Sequence, residues 1–303
     1  MIEKIIPLKL DFLKYENFEI QELCKKHKIE TVYLPIDGTR RGFRISQIKI
    51  SQPPEFNFQA YYEYVIPRLV ELIKKFYSLG IKNLIILLMD ETAFIRGKEY
   101  LSMALNLGIK PLYEDQRFLD LYKSYGICVS FEGDNDLYNK FQMSSCLNNF
   151  EKLEKLTEDN KNMNLIFYTG WNCQRDYLDV VKRLSSLEID FNLLTEAELI
   201  KLYYKVELST IDFSIFYGQP RDKIIPPLLW NNGQRYYSEY PSLELSIEQI
   251  KTAIYYTIKS RTNIGDSFIS YDRINAAQIQ QYLNKFGNNS NLWGEKIYEL
   301  DTI

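Results

Sequence analysis

The stretch Tyr33–Phe43, which reads YLPIDGTRRGF, combines an apolar run with one acidic and two basic side chains. An apolar run around a proline leads into Asp37 and the turn residue Gly38, and the adjacent arginines Arg40 and Arg41 follow. Guanidinium groups bind phosphate oxygens through paired, charge-assisted hydrogen bonds. One acid and two arginines after an apolar run therefore suit an anionic ligand, most simply a phosphate or a diphosphate.

Two other stretches place cations after apolar runs. MDETAFIRG follows a second run and carries Arg96, and YGQPRDK follows a late run and carries Arg221 and Lys223. If the runs are parallel strands, the three stretches share the sheet edge at which such folds bind ligands. Ordinary solvated loop charges are the competing interpretation, because loops are polar in any protein.

The elements that must position these residues alternate along the chain. Short, almost continuously apolar runs have the pattern of strands buried on both faces, and they occupy residues 30–36, 83–89, 126–131, 164–170 and 212–218. Amphipathic segments precede, separate and follow these runs, at residues 18–28, 58–80, 150–159, 174–187, 196–206, 246–261 and 275–287. This order predicts an α/β fold with a mostly parallel central sheet and helices on both faces.

Three local features refine this prediction. Pro67 should kink or split the helix at residues 58–80, and Gly80 should cap that helix. EGDND, at residues 132–136, follows a strand and reads as a turn rather than as a metal-binding DDxxD motif on a helix. No linker rich in glycine, proline or serine divides the chain, which predicts one domain over residues 1–303 with a polar tail after about residue 265.

Composition excludes several classes of function. The chain has 303 residues, a net charge of -3 and a pI near 5.5, so nothing indicates a nucleic-acid partner. No uncharged run approaches the roughly 20 apolar residues of a membrane span, and the charged N-terminal stretch is unlike a signal peptide. Four scattered cysteines without CxxC spacing fit a reducing cytoplasm better than a zinc site or a disulfide framework.

The residue types present also narrow the catalytic mechanisms that the chain could use. His27 is the only histidine, which argues against Ser-His-Asp, Cys-His and HExxH mechanisms. A proton acceptor must then be a carboxylate, a tyrosine, a lysine or water. The absence of GxGxxG and GxxxxGK[ST] motifs makes dinucleotide and P-loop sites weak candidates.

The three stretches together resemble the cis-prenyltransferase superfamily, which includes undecaprenyl diphosphate synthase. DGTRRGF is similar to that family's DGNGRW motif, which implies that Asp37 holds Mg²⁺ and diphosphate and that Arg41 grips an allylic diphosphate. MDETAFIR is similar to FSxENWxR, which assigns phosphate binding to Arg96. IFYGQPRDKIIPPLLWNNGQRYY echoes the family's late IRTxGExRxSNFLLWQ…YF stretch.

A closer likeness is to the tuberculosinol and tuberculosinyl adenosine synthases, whose first motif, FDGTRRWF, is nearly repeated by IDGTRRGF. These enzymes ionise an allylic diphosphate and let water or a nucleoside capture the cation. The resemblance places their catalytic tyrosine at Tyr61, with Tyr62 adjacent, and places the first diphosphate on Gly38, Thr39 and Arg40 as well.

The departures from the elongating enzymes concern their second diphosphate site. The first arginine of the late motif falls on Phe216 or Tyr217, depending on the gap, and the serine falls on Ile225. Arg221 or Lys223 could replace the second arginine. The metal-binding glutamate falls on Gln234, with Glu239 close enough in sequence to compensate as a Mg²⁺ ligand beside Asp37.

The resemblance implies an enzyme that uses Mg²⁺ to ionise one allylic prenyl diphosphate, and a homodimer assembled through the late stretch. Two alternatives stay open: a chain-elongating or head-to-middle condensing enzyme, and a non-catalytic partner subunit. Retention of Asp37 and Arg41 argues against the partner subunit, and the altered late motif argues against condensation.

Overall fold

A computed structural model describes residues 9–49, 57–186, 194–204, 208–218, 225–231 and 233–266. The predicted helix at residues 275–287, the polar tail, Arg221 and Lys223 therefore lie outside the described residues.

Six parallel strands form one sheet in the described part of the chain. Their order is β3-β4-β2-β1-β5-β6. The bounds are β1 Thr31–Pro35, β2 Asn83–Asp90, β3 Ile127–Glu132, β4 Met163–Trp171, β5 Phe213–Tyr217 and β6 Gln234–Ser238. The first five confirm the five predicted strands, and the α/β class is confirmed as well.

The described helices precede, connect and cover these strands. The α-helices are α1 Lys9–Leu13, α2 Asn17–Lys26, α3 Thr39–Lys49, α4 Phe58–Ser78, α5 Lys98–Met103, α6 Pro111–Glu114, α7 Gln116–Tyr125, α8 Asn135–Lys140, α9 Ser144–Thr157, α10 Cys173–Ser185, α11 Glu196–Tyr204 and α12 Ile247–Asp266. Short 3₁₀ helices span Glu91–Arg96, Pro227–Leu229 and Ser242–Glu244, and a π-helical turn spans Ala104–Ile109.

The sheet separates two apolar cores, as the two-residue repeat of a strand requires. Val32 and Leu34 of β1 pack in the core that contains the buried face of α4, whereas Tyr33 lies in the other core with residues of α10 and α11. The expected helices on both faces are therefore present. Among the described residues, no helix combines the length and apolar content of a membrane span.

Helix α4 corrects one expectation. It runs unbroken through Pro67, so the predicted split is wrong. Buried residues on both sides of the proline, Ile66 and Leu69, anchor the two halves of the helix in the same core. The helix ends one residue earlier than predicted, because Leu79 is the capping residue and Gly80 follows it with a φ of +88°.

Candidate functional site

The carboxyl ends of β2, β1 and β5 are neighbours at one edge of the sheet, so two of the predicted stretches and the start of the third meet there. A pocket of about 320 Å³ opens at this edge. Eight predicted site residues line it: Asp37, Gly38, Thr39, Arg40, Arg41, Tyr61, Tyr62 and Arg96. Asp37, Arg40, Arg41 and Arg96 are exposed, which makes this charged end the mouth of the pocket.

The mouth is built on the start of α3. Gly38 takes the turn between β1 and α3 with a φ of +73°, a conformation that favours glycine, and α3 begins at Thr39. The first amides of an α-helix have no partners within the helix, and their dipoles attract anions. Asp37 Oδ1 accepts a hydrogen bond of 2.6 Å from Gly38 N. The mouth thus combines helix-terminal amides with the adjacent side chains of Arg40 and Arg41.

A residue from the far end of the chain fixes this turn. Ser242, which is 2% exposed, donates from its hydroxyl to the carbonyl oxygen of Pro35 at 3.0 Å. The same hydroxyl accepts from Asp37 N at 3.0 Å, and Ser242 N donates to the carbonyl oxygen of Asp37 at 3.1 Å. These bonds hold the backbone of Asp37 from both sides, so the position of the carboxylate depends on the segment after β6.

Tyrosines contact two arginines of the mouth. Arg41 Nη1 donates to the hydroxyl of Tyr217 at 3.1 Å, and Arg96 Nη1 donates to the hydroxyl of Tyr100 at 3.1 Å. Asp90, at the end of β2, also lines the mouth and accepts bonds from both the amide and the hydroxyl of Thr92.

Tyr61 and Tyr62 lie where the charged mouth meets the interior. The hydroxyl oxygens of Tyr61 and Thr39 are 2.5 Å apart, and the rings of Tyr61 and Tyr62 meet edge to face with centroids separated by 4.8 Å. Burial raises the pKa of Tyr61, although the hydrogen bond with Thr39 opposes that shift. Tyr61 is therefore a neutral phenol near pH 7.

The interior of the pocket is apolar. One turn after another of α4 contributes to it, and β2 and the π-helical turn supply the facing wall. Its aliphatic lining consists of Pro35, Ile36, Val65, Ile66, Leu69, Leu87, Leu88, Met89, Ala93, Ala104 and Ile109. A ligand with an anionic head and a hydrocarbon tail would find complementary surfaces along a single path.

The predicted second metal ligand, Glu239, does not line the pocket, and neither does Gln234, which stands where the family has a metal-binding glutamate. Gln234 begins β6, at the end of the strand far from the pocket, so it is not at this edge. Glu239 follows the carboxyl end of β6, but it is exposed and does not line the pocket. No group of three acidic, cysteine or histidine side chains within the described ranges is arranged to hold a metal ion. A metal shared by Asp37 and Glu239 stays a prediction.

The residues of the altered late motif divide between the mouth and the core. Phe216 is 3% exposed and stacks on Tyr237 in the second core, where Ile225 is also buried. Tyr217, the next residue of β5, instead reaches the mouth and contacts Arg41. Tyr217 therefore occupies the position at the mouth that sequence reasoning left open between two residues.

Sequence reasoning missed four residues at this site: Asp90, Tyr100, Tyr217 as a partner of Arg41, and Ser242. Asp90 had a usable signal, because it ends an apolar run as Asp37 nearly does. Tyr100 stands four residues after Arg96, a helical spacing, but the chain there was not predicted to be helical. Nothing in the sequence connects Ser242 with Asp37.

The sequence matches no protein-family model and no curated protein. Two solved structures are similar to this chain. Lavandulyl diphosphate synthase from Lavandula x intermedia, in complex with dimethylallyl diphosphate, matches with a TM-score of 0.57 at 16% identity, over 76% of this chain and 94% of that one. A probable undecaprenyl diphosphate synthase from Campylobacter jejuni matches with a TM-score of 0.55 at 14% identity, over 76% and 95% of the two chains.

The chain has the cis-prenyltransferase fold. The resemblance noted in the sequence is thereby confirmed at the level of the fold. The closer likeness to the tuberculosinol and tuberculosinyl adenosine synthases stays a prediction.

Two arginines of the pocket mouth, Arg41 and Arg96, should contribute to the binding of pyrophosphate. Arg41→Ala and Arg96→Ala should each weaken the binding of inorganic pyrophosphate about tenfold or more, because each removes a charged hydrogen-bond donor from the mouth. Isothermal titration calorimetry measures this affinity. Arg117→Ala is the matched control, because Arg117 pairs with Asp115 at the start of α7 and does not line the pocket. Unchanged pyrophosphate affinity in both mouth variants would show that Arg41 and Arg96 are ordinary surface charges.

Proposed function

We propose that this protein is an enzyme that ionises one allylic prenyl diphosphate, between geranyl and geranylgeranyl diphosphate in length. It would release pyrophosphate and form a terpene alcohol, a hydrocarbon or a prenylated acceptor. The observation that carries the proposal is the pocket itself, in which a mouth with three arginines leads directly into an aliphatic interior.

The charged mouth of the pocket could stabilise the departing diphosphate. Breaking an allylic C–O bond transfers negative charge to the departing diphosphate, and fixed positive groups stabilise that charge without reorganising. Arg40, Arg41 and Arg96, together with the amides at the start of α3, can act in this way. The Ser242 clamp, which is the set of hydrogen bonds that Ser242 makes with Pro35 and Asp37, keeps the amide end of α3 in place while the C–O bond breaks.

The donor set of the mouth fits Mg²⁺. This ion usually keeps several waters and binds through one or two carboxylates and the phosphates of the substrate, so it needs no cage of protein ligands. Asp37 is an exposed carboxylate on the turn before α3, and Asp90 lines the same mouth. When bound, Mg²⁺ would neutralise part of the charge on the leaving diphosphate.

The apolar interior of the pocket could stabilise the allylic cation, which is the other product of ionisation. An allylic cation survives only where water is scarce, and aromatic faces attract cations. Aliphatic side chains exclude water, and the rings of Tyr61 and Tyr62 stand between the aliphatic wall and the mouth. Since burial raises the pKa of Tyr61, its phenol is better suited to orienting the group that captures the cation than to acting as a phenolate base.

Condensation with a second prenyl diphosphate is the runner-up. It is favoured by the fold shared with lavandulyl diphosphate synthase. A second diphosphate needs a second set of cations, however, and the described part of the late motif offers the buried Phe216 and the neutral Tyr217. A non-catalytic subunit is less consistent with a mouth that keeps Asp37 and its arginines exposed.

We also propose a homodimer of two-fold symmetry, assembled through the late segment around β6. This strand lies at the edge of the sheet, and its residues Tyr236 and Tyr237 are partly exposed. An edge strand with apolar side chains is commonly covered in the native assembly.

Light scattering at micromolar concentration should give about twice the 36.0 kDa mass of one chain. A mass near that of one chain would contradict the proposed dimer and leave the proposed reaction untouched.

The reaction can be tested with one substrate at a time. Geranyl, farnesyl or geranylgeranyl diphosphate, incubated alone with the protein and Mg²⁺, should release pyrophosphate and give a volatile or extractable terpene product. Labelled isopentenyl diphosphate should not enter the product. Asp37→Ala should abolish turnover with an unchanged circular dichroism spectrum, because an exposed carboxylate contributes little to packing. Incorporation of the label into a longer prenyl diphosphate would overturn the proposal in favour of condensation.

A further inference from the structure

We propose that Tyr217 and Tyr100 are positioning residues that hold Arg41 and Arg96 over the pocket mouth while leaving the guanidinium charges available to the substrate. This inference rests on the proposed function, and it assigns to two neutral side chains a role in binding the diphosphate end of the substrate.

The two contacts have the same construction. Arg41 Nη1 donates to Tyr217 Oη at 3.1 Å, and its guanidinium carbon lies 5.6 Å from the centre of that ring. Arg96 Nη1 donates to Tyr100 Oη at 3.1 Å, and its guanidinium carbon lies 5.2 Å from that ring. Each arginine is thus fixed by a tyrosine hydroxyl and by proximity to the ring of that tyrosine, and Arg96 also donates from Nη2 to Thr92 Oγ1 at 3.5 Å.

Several arginines away from this pocket have carboxylate partners, although two of these, Arg68 and Arg183, also lie over tyrosine rings. Five such pairs are Arg68–Glu244, Arg117–Asp115, Arg175–Asp134, Arg183–Glu132 and Arg261–Asp212. A carboxylate partner fixes an arginine but cancels much of its attraction for an anion. A phenol fixes it without that loss, because the phenol is neutral. The choice of partner therefore distinguishes the mouth arginines from those five structural arginines.

Tyr217 is itself held firmly. It is the last residue of β5, and its ring lies directly on the backbone of Gly38. A Cβ atom added to Gly38 would lie 2.6 Å from Cε1 and 2.7 Å from Cδ1 of Tyr217, so no side chain fits beneath the ring. Tyr217 thereby packs on the turn that carries Asp37 and bonds to the arginine one helical turn farther on.

Ordering Arg41 and Arg96 before the ligand arrives should strengthen diphosphate binding. An exposed arginine side chain loses rotamer freedom when it grips a ligand, and a partner that orders it beforehand reduces that loss. Only one N–H group of each guanidinium is engaged by its tyrosine. Arg96 gives a second, long hydrogen bond of 3.5 Å to Thr92, and the other N–H groups of both guanidiniums can contact phosphate oxygens.

The test measures inorganic pyrophosphate binding by calorimetry in Tyr217→Phe and Tyr100→Phe, with Tyr177→Phe as control. Tyr177 is an exposed tyrosine on α10 and does not line the pocket. Each phenylalanine keeps the ring and removes only the hydroxyl. Each mouth variant should therefore raise the Kd about three- to tenfold, and the control should not change it.

The salt dependence of binding separates positioning from loss of charge. Tyr217→Phe should keep the wild-type slope of log Kd against log salt concentration, because Arg41 remains charged, whereas Arg41→Ala should lower that slope. Wild-type affinity in both phenylalanine variants, with reduced affinity in Arg41→Ala and Arg96→Ala, would overturn the positioning role and leave the diphosphate site standing. Failure of the wild-type protein to bind pyrophosphate would overturn both proposals.

Discussion

The parallel pairing of β1 with β2 on one side and β5 on the other is the constraint on which the rest of the site depends. Parallel strands all end at the same edge of a sheet, so residues far apart in the chain are delivered to one place. Asp37 follows β1, Asp90 ends β2 and Tyr217 ends β5. Any shift of one strand against its neighbour would separate these side chains and divide the pocket mouth.

The register of these strands is fixed by burial rather than by the site. β1 is buried along its whole length, with Val32 and Leu34 in one core and Tyr33 in the other. A slip by one residue would reverse these faces, so the two cores enforce a single alignment. The turn at Asp37 receives its geometry from this alignment and from the clamp formed by Ser242. Precise placement at the mouth is therefore a consequence of the whole fold, including the segment after β6.

Much of the architecture could be predicted because it depends on local composition. Five strands were visible as apolar runs, since strands buried on both faces need little else. β6 was missed because QRYYS is partly polar, as an edge strand can be. No helix was predicted between residues 91 and 109, where a 3₁₀ helix and a π-helical turn break the regular helical period. The regular helix α7, Gln116–Tyr125, was missed as well. Pro67 was expected to kink or split α4, and the split is absent because residues on both sides of it pack in the same core.

The site residues, like the strands, could be predicted only where a local sequence pattern marked them. The charged residues after β1 and β2 were identified because they follow apolar runs, and six predicted residues of these two stretches line the pocket: Asp37, Gly38, Thr39, Arg40, Arg41 and Arg96. Tyr61 and Tyr62, on α4, were identified through the family resemblance. The partners that hold them could not be identified. Ser242 lies more than 200 positions from Asp37 in the chain, and Tyr217 lies 176 positions from Arg41. Pairings across such distances are set by strand order, which a single sequence does not encode in any local pattern.

The proposed function requires that one ligand uses both the charged mouth and the apolar interior. Calorimetry at several temperatures can compare inorganic pyrophosphate with a non-ionisable thiolo analogue of farnesyl diphosphate, each in the presence of Mg²⁺. We expect one analogue molecule per chain, tighter binding than that of pyrophosphate, and a negative heat-capacity change from burial of the prenyl tail. Equal affinity of the two ligands, with no heat-capacity difference between them, would contradict the proposed function.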